Sequence, residues 1–412
     1  MNILQKEESL SLPQALLRVE GMHQELRTHF VRIPLNHSVD ILSWIERYTD
    51  RPFVYWCSRN KEEEWGGIDL AETHYASIRI AQERLKSLHP SIRAFGGMSF
   101  ARDSDGWGEF GNQTFWVPKL CIYRKEQHYF LESTQLPHQT SSSYHFGSLL
   151  PDRYIPSQEN WTRIIDETYE DFQQETLHKI VLARQSRLQI SISPLEALRA
   201  LKRQQSSTFD FAFSPYGNST FIGCSPERLF SLHEQKLKTE ALAGTRSKEI
   251  DPIELLQSEK DLREHLYVRD HILKQLRPIS QKVTHGPTPR IIQNSNVIHL
   301  QTTIEASIKN DVSIEDILSV LHPTPAVCGL PQEYARKKIS SFEQFDRGWY
   351  AGPIGWLSAN AAEFAVGIRS ALFHQDGVYV WAGAGIVEGS NAEQEWQEIE
   401  TKSQQYFQLE SK

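Results

Sequence analysis

The segment "GAGIVEGSNAEQEWQEIETK", Gly383 to Lys402, sets a glycine-rich run directly before a stretch that interleaves Glu393, Glu395, Glu398 and Glu400 with Trp396 and Ile399. On a helix advancing about 100° per residue, Glu395, Glu398 and Lys402 fall within about 60° of one another. They share that side with Ile399, Tyr406 and Leu409, so they border the inward-facing stripe. Glu393 and Glu400 point the other way and read as solvated. Ser390 and Glu393 have the spacing of a capping box, which starts the helix just after the glycine-rich run. The positive end of the helix then faces that run, read as a loop able to hold an anion.

A second segment repeats the pattern. In "SEKDLREHLYVRDHILKQL", Asp261, Glu264 and His265 share a helical side with Val268 and Ile272. Carboxylates at the edge of a core are costly unless their charge is offset. Two devices would do it: neighbouring Arg and Lys side chains in an ion-pair network, or a bound divalent cation. Oxygen-only ligands, few in number, suit Mg²⁺, which completes its octahedron with waters and substrate oxygens.

The chain around these helices has 412 residues, enough for two domains or for one large domain built on a pseudo-duplicated core. With 39% hydrophobic and 23% charged residues it reads as soluble and globular. A net charge of −8 disfavours non-specific nucleic-acid binding. Cys57, Cys121, Cys224 and Cys328 are far apart and form no CxxC pair, which excludes a disulfide framework or zinc site of recognisable spacing and fits a reducing compartment. "MNILQKEESLSLPQ" lacks a basic region followed by an apolar core, and no run of about 18 apolar residues occurs. A cytoplasmic protein, with no membrane partner, is expected.

Residues 1–150 read as short strands and turns, with "RPFVYWCSR", "RAFGGMSF", "TFWVPKLCIYRK" and "QHYFLES" as the strands. The polar Ser133–Ser148 stretch is the candidate linker. Beyond it, Trp161, Ile164, Ile165, Tyr169 and Phe172 recur at helical spacing, followed by a strand at "KIVLARQSRLQI", a helix at "PLEALRALKR", and strands at "FDFAFS" and "STFIGC". No repeat of 20–50 residues is evident. The alternation predicts an α+β architecture.

The segments "HKIVLAR", "CSPERLF", "TEALAGTR", "SEKDLREH", "LHPTPAVCGLP", "FDRGWYAGPIGW", "EFAVGIRSAL" and "GAGIVEGSNAEQEWQEIETK", in that order, resemble the chorismate-utilising enzymes, the family of isochorismate, salicylate, anthranilate and aminodeoxychorismate synthases. The resemblance covers roughly residues 160–408, and "VYWCSRNKEEEWGGI" and "RAFGGMSF" are similar to menaquinone-type isochorismate synthases. It implies a two-lobed fold, with large, mainly antiparallel β-sheets packed in a sandwich and helices outside. Residues 1–150 would form a more variable β-rich half and 155–410 the chorismate-binding catalytic domain. It further implies that Glu264 and Glu398 bind Mg²⁺, with Asp261 and Glu395 as outer partners. Arg369, Lys402, Tyr350 and the backbone at Gly383 and Gly385 would contact chorismate. Taken singly, Arg369 also fits a surface ion pair, Tyr350 a core aromatic, and the glycines mere turns.

Isochorismate formation adds water at C2 of the ring and expels the C4 hydroxyl, so it needs a base and an acid. Lys179 of "HKIVLAR" matches the lysine that isochorismate and salicylate synthases use as base, which amine-transferring relatives usually lack. It must be neutral to act, whereas Glu227 of "CSPERLF", which matches the acid, must hold its proton. On their own, the two also read as a strand-end lysine and a surface glutamate. Ala243 stands where aminodeoxychorismate synthases carry a nucleophilic lysine, and Thr245 beside it is an implied substrate contact. His322 of "LHPTPA" is either a site-ordering or a backbone-bonded structural histidine. Cys328 departs from the family's usual glycine and bears on loop shape. The resemblance thus implies a Mg²⁺-dependent isochorismate synthase needing no obligatory glutaminase subunit. Salicylate synthase is the close alternative, and an amine-transferring subunit or a silent homologue the distant ones.

Overall fold

The computed structural model describes residues 9–26, 28–74, 77–102, 104, 106–136, 153–247, 249, 251–293 and 297–410. Its architecture follows from strands that are apolar on both faces. Phe53–Cys57, Phe209–Ser214 and Thr220–Ser225 are buried at every position, as strands covered on both sides must be.

The long strand Gln113–Lys125 is the branch point of the sheets. One edge pairs with Glu63–His74. The other is divided between His128–Thr134 and Ala94–Met98. From Glu63–His74 one sheet continues through Phe53–Cys57, Phe209–Ser214, Thr220–Ser225, Ser370–His374 and Gly377–Ile386 to Lys179–Leu188. From Ala94–Met98 a second runs through Pro353–Leu357, Ala361–Val366, Arg228–His233 and Lys236–Ser247 to Val297–Ile308. All of these ladders are antiparallel. Aromatic side chains from both sheets, among them Phe211, Phe221, Trp356 and Phe364, share one buried cluster with Trp349 from a turn. The expected sandwich is therefore present, with its helices outside.

Helix Ala392–Glu410 packs on Gly377–Ile386 and on helix Gln158–Gln173, while helix Glu259–Leu276 packs on Lys236–Ser247 and Val297–Ile308. Each sheet thus carries one of the two acid-bearing helices. The named strands of the N-terminal segment all form, but that segment also holds helices Leu12–Leu26, Ile41–Ile45 and Ile78–Lys86, which a reading as strands and turns did not anticipate. Of the candidate linker, Ser133 and Thr134 end a strand and are buried, and residues 137–148 lie outside the described residues. No helix among the described residues is long and apolar enough to cross a membrane.

Phe364, fully buried, contacts the rings of Phe115 and Phe230. Phe364→Ala is expected to cost about 3–5 kcal/mol, read as a lowered denaturation midpoint.

Candidate active site

Lys179 opens strand Lys179–Leu188, opposite Leu330 of the short strand Gly329–Leu330, and is only 1% exposed. Its Nζ donates to Glu264 Oε1 at 2.8 Å. Glu264 projects from helix Glu259–Leu276, whose start is capped by Ser258 accepting from the Asp261 N–H. Burial works to raise the Glu264 carboxyl, but the Lys179 ammonium outweighs it and holds the carboxyl below its ordinary range.

The second acidic helix closes the same cavity. Glu395, Glu398 and Lys402 line it together with Lys179, Asp261 and Glu264. Lys402 Nζ donates to Glu398 and, at 2.7 Å, to the Gly383 carbonyl. Arg369, in the left-handed region at φ +51°, donates from Nη1 to the Lys402 carbonyl at 3.3 Å. Asp261 pairs with Arg246 at 2.7 Å and Glu395 with Lys260 at 3.3 Å. Each of the four carboxylates thus has a basic partner.

Those partners do not offset the charge evenly. Burial, then the charges of Glu398 and Glu264, push the Glu395 carboxyl up to about 7 against the pull of Lys260. An additional cation beside these acids would relieve that repulsion, and an all-oxygen donor set fits a hard divalent ion. Among the described residues no three His, Cys, Asp or Glu side chains are gathered as a ready-made ligand cluster. The donor set therefore suits an ion that takes few protein ligands and fills its shell with water or substrate.

Glu227 lines the cavity from the turn between strands Thr220–Ser225 and Arg228–His233. It is 5% exposed, and burial together with the Glu240 charge pushes its carboxyl from 4.5 to about 8, against Lys179 and Lys402. Gly383, Gly385, Tyr350 and Ala243 complete the expected set around the cavity. A Cβ on Gly385 would stand 2.7 Å from Glu264 Oε1 and 3.3 Å from Lys179 Cε, so the absent side chain is what admits the pair. One on Gly383 would stand 3.2 Å from the Tyr350 hydroxyl.

Four expectations change. The glycine-rich run is strand through Ile386 rather than loop, but beyond Trp381 the strand Ser370–His374 no longer pairs with it, which frees the Gly383 carbonyl for Lys402. The helix cap is Asn391, whose side chain accepts from the Gln394 N–H at 3.1 Å, while Ser390 accepts from Val387. Glu393 is exposed as expected, yet Glu400 pairs with Arg184, which is fully buried between the rings of Tyr154 and Trp396. His322 does not line this cavity; its Nε2 lies 3.2 Å from the Phe100 carbonyl. Thr245 lies opposite His299 in the ladder, and its side chain is outside the described residues.

Three basic side chains lining the cavity were not anticipated: Lys260, His299 and Arg347. Arg347 is clamped by Glu343 and by the Val181 and Val327 carbonyls, at 2.8 and 2.9 Å. Lys260 and Arg347 fall inside the quoted segments "SEKDLREH" and "FDRGWYAGPIGW", so charge inside those segments was the available signal. His299 carried none beyond its place in an apolar strand.

Residues 137–409 match a family described as chorismate binding enzyme, and the chain belongs to that family. It is 31% identical over 403 residues to isochorismate synthase MenF of Escherichia coli, covering 92% of each chain. It is also 33% identical to the chloroplastic isochorismate synthase 2 of Arabidopsis thaliana, over 82% of this chain and 67% of the relative. The solved structure of the menaquinone-specific isochorismate synthase MenF from E. coli superposes with a TM-score of 0.83 at 29% identity, covering 97% of this chain and 100% of that one.

The buried Glu227 carboxyl makes stability depend on pH. An unfolded glutamate ionises near 4.5, whereas the folded one keeps its proton to about 8, so between these values the folded state binds more protons and stability falls as pH rises. Glu227→Gln removes this slope. Relative to wild type, the variant is expected to gain on the order of 4 kcal/mol between about pH 4.5 and about pH 8, measured by denaturant unfolding at both ends.

Proposed function

We propose that this chain is a Mg²⁺-dependent isochorismate synthase, converting chorismate to isochorismate for menaquinone or catechol-siderophore synthesis. The observation that carries the reading is the pairing, in one cavity, of a buried lysine with a buried carboxyl that keeps its proton near neutrality. This is the equipment that water addition with loss of a hydroxyl demands. Ala243 in place of a nucleophilic lysine supports water addition over the covalent route of amine-transferring relatives. With water as nucleophile, no glutaminase partner is required.

In this reading Lys179, as the free amine, takes a proton from water as its oxygen bonds to C2. Both ring double bonds shift, C1=C2 to C1=C6 and C5=C6 to C4=C5, the C4–O bond breaks, and Glu227 protonates the departing hydroxyl, which leaves as water. Tyr350, Arg369 and Lys402 hold the substrate, with the Gly383–Gly385 strand making room beside them. Glu264 and Glu398 would hold the Mg²⁺, Asp261 and Glu395 standing behind them, and the ion supplies positive charge to a substrate carboxylate. That supply is needed. With Glu227 protonated and Lys179 as the free amine, the cavity keeps four carboxylates, Asp261, Glu264, Glu395 and Glu398, and four cations, Lys260, Arg347, Arg369 and Lys402, so its formal charge balances before a dianion enters.

The test is purified protein with chorismate and Mg²⁺, products separated by chromatography. Isochorismate alone is the expected product; salicylate with pyruvate would reassign the chain to salicylate synthesis, and no turnover would overturn the reading. Lys179→Ala is expected to abolish water addition while chorismate binding remains measurable; near wild-type turnover would exclude Lys179 as the base. Gly385→Ala, whose methyl group displaces the ends of Glu264 and Lys179, is expected to lower kcat by about tenfold with the melting temperature little changed.

A further inference from the structure

Arg59 sits in the turn between strands Phe53–Cys57 and Glu63–His74, far in sequence from the cavity, yet it reaches the peptide that carries Glu227. Its Nη1 donates to the Pro226 carbonyl at 3.1 Å and to Glu240 Oε1, and its Nη2 donates to Glu240 Oε2 at 2.9 Å. Glu240 Oε1 also accepts from the Arg228 N–H at 2.9 Å, and Oε2 from Gln301 Nε2 at 2.6 Å. The pair therefore grips the backbone on both sides of Glu227, at the carbonyl before it and at the N–H after it.

The remaining backbone bonds of Glu227 are also committed. Its N–H donates to Ser225 Oγ at 3.2 Å and its carbonyl accepts from Val366 at 3.0 Å. The Phe209 ring supports both guanidinium groups, Arg59 at 5.6 Å and Arg228 at 5.4 Å. Glu240 is only 4% exposed and accepts four hydrogen bonds on its two oxygens. A buried pair of this kind contributes little net stability, so stability alone does not account for it.

We propose that the Arg59–Glu240 pair is a positioning device for the proposed proton donor Glu227: it fixes the Pro226–Arg228 backbone and places the Glu240 carboxylate beside Glu227. This rests on the isochorismate synthase reading. The charges that face Glu227 are Glu240 from strand Lys236–Ser247, Lys179 from strand Lys179–Leu188 and Lys402 from the C-terminal helix. The two lysines favour the carboxylate; Glu240 opposes them and, with burial, keeps the proton in place.

Glu240→Gln keeps an oxygen for Arg59 while deleting the charge. In the kcat profile, activity falls as pH rises through the pKa of the acid. This alkaline limb is expected to move about one pH unit lower in Glu240→Gln, with KM within about twofold, and to return in Glu240→Asp. Arg59→Lys, which keeps the charge but loses the fork, is expected to lower kcat by about tenfold with the limb unmoved. A lowered melting temperature with an unmoved limb in Glu240→Gln would make the pair merely structural, as would wild-type kcat in Arg59→Lys. The carboxyl ¹³C titration of Glu227, assigned by its loss in Glu227→Gln, reads the same shift without turnover. If wild type made no isochorismate, the functional reading would fall, and an unmoved titration midpoint in Glu240→Gln would overturn the positioning device independently.

Discussion

The contact on which the site depends is the ion pair between Lys179 and Glu264, a strand of one sheet joined to a helix lying on the other. A lysine 1% exposed would be untenable without a carboxylate, and Glu264 is held ionised by that same lysine. Such a pair gives little net stability, because desolvating both charges offsets their attraction. What it gives is geometry. It draws the end of the Lys179 strand and the first turns of helix Glu259–Leu276 to one distance, and the cavity is the space that remains beside them.

Steric openness of the neighbouring strand is the condition for that distance. Gly377–Ile386 pairs with Lys179–Leu188 so that Gly385 faces Val181 and Gly383 faces Ala183. Any side chain at Gly385 would enter the space of the Lys179–Glu264 pair. The same strand then turns at Val387–Asn391 into the C-terminal helix, which brings Glu395, Glu398 and Lys402 back over it. One short passage of chain thus supplies both the room and the charges.

Periodicity made the division of charges on the two helices legible, because the angular position of a helical residue is fixed by local geometry. It placed Glu395, Glu398, Asp261 and Glu264 on inward faces, and they line one cavity. It misjudged Glu400, whose partner Arg184 lies 216 residues away and is brought there only by the ladder between strands Lys179–Leu188 and Gly377–Ile386. It chose Ser390 as the cap from its spacing to Glu393, whereas Asn391 takes that place, because the choice depends on how the chain leaves the sheet. The strands of the N-terminal segment were readable from aromatic and β-branched runs, whereas helix Leu12–Leu26 carries Gly21 in its middle and two exposed leucines, Leu17 and Leu26, which blur its stripe. His322 matched a motif but faces the Phe100 carbonyl, a contact 222 residues distant that no local pattern encodes.

The two groups proposed for proton transfer ask the same thing of burial. Removal from water favours the neutral form of both a lysine and a carboxyl, which is what a base and an acid respectively need before reaction. Burial alone would treat them alike, and the neighbours then separate them. Lys179 donates to Glu264 at 2.8 Å, while the Glu240 charge adds to burial in raising the Glu227 carboxyl. On the proposed reading, a cation bound at Glu264 would compete with Lys179 for that carboxylate, so cation binding and proton transfer would be coupled at one contact.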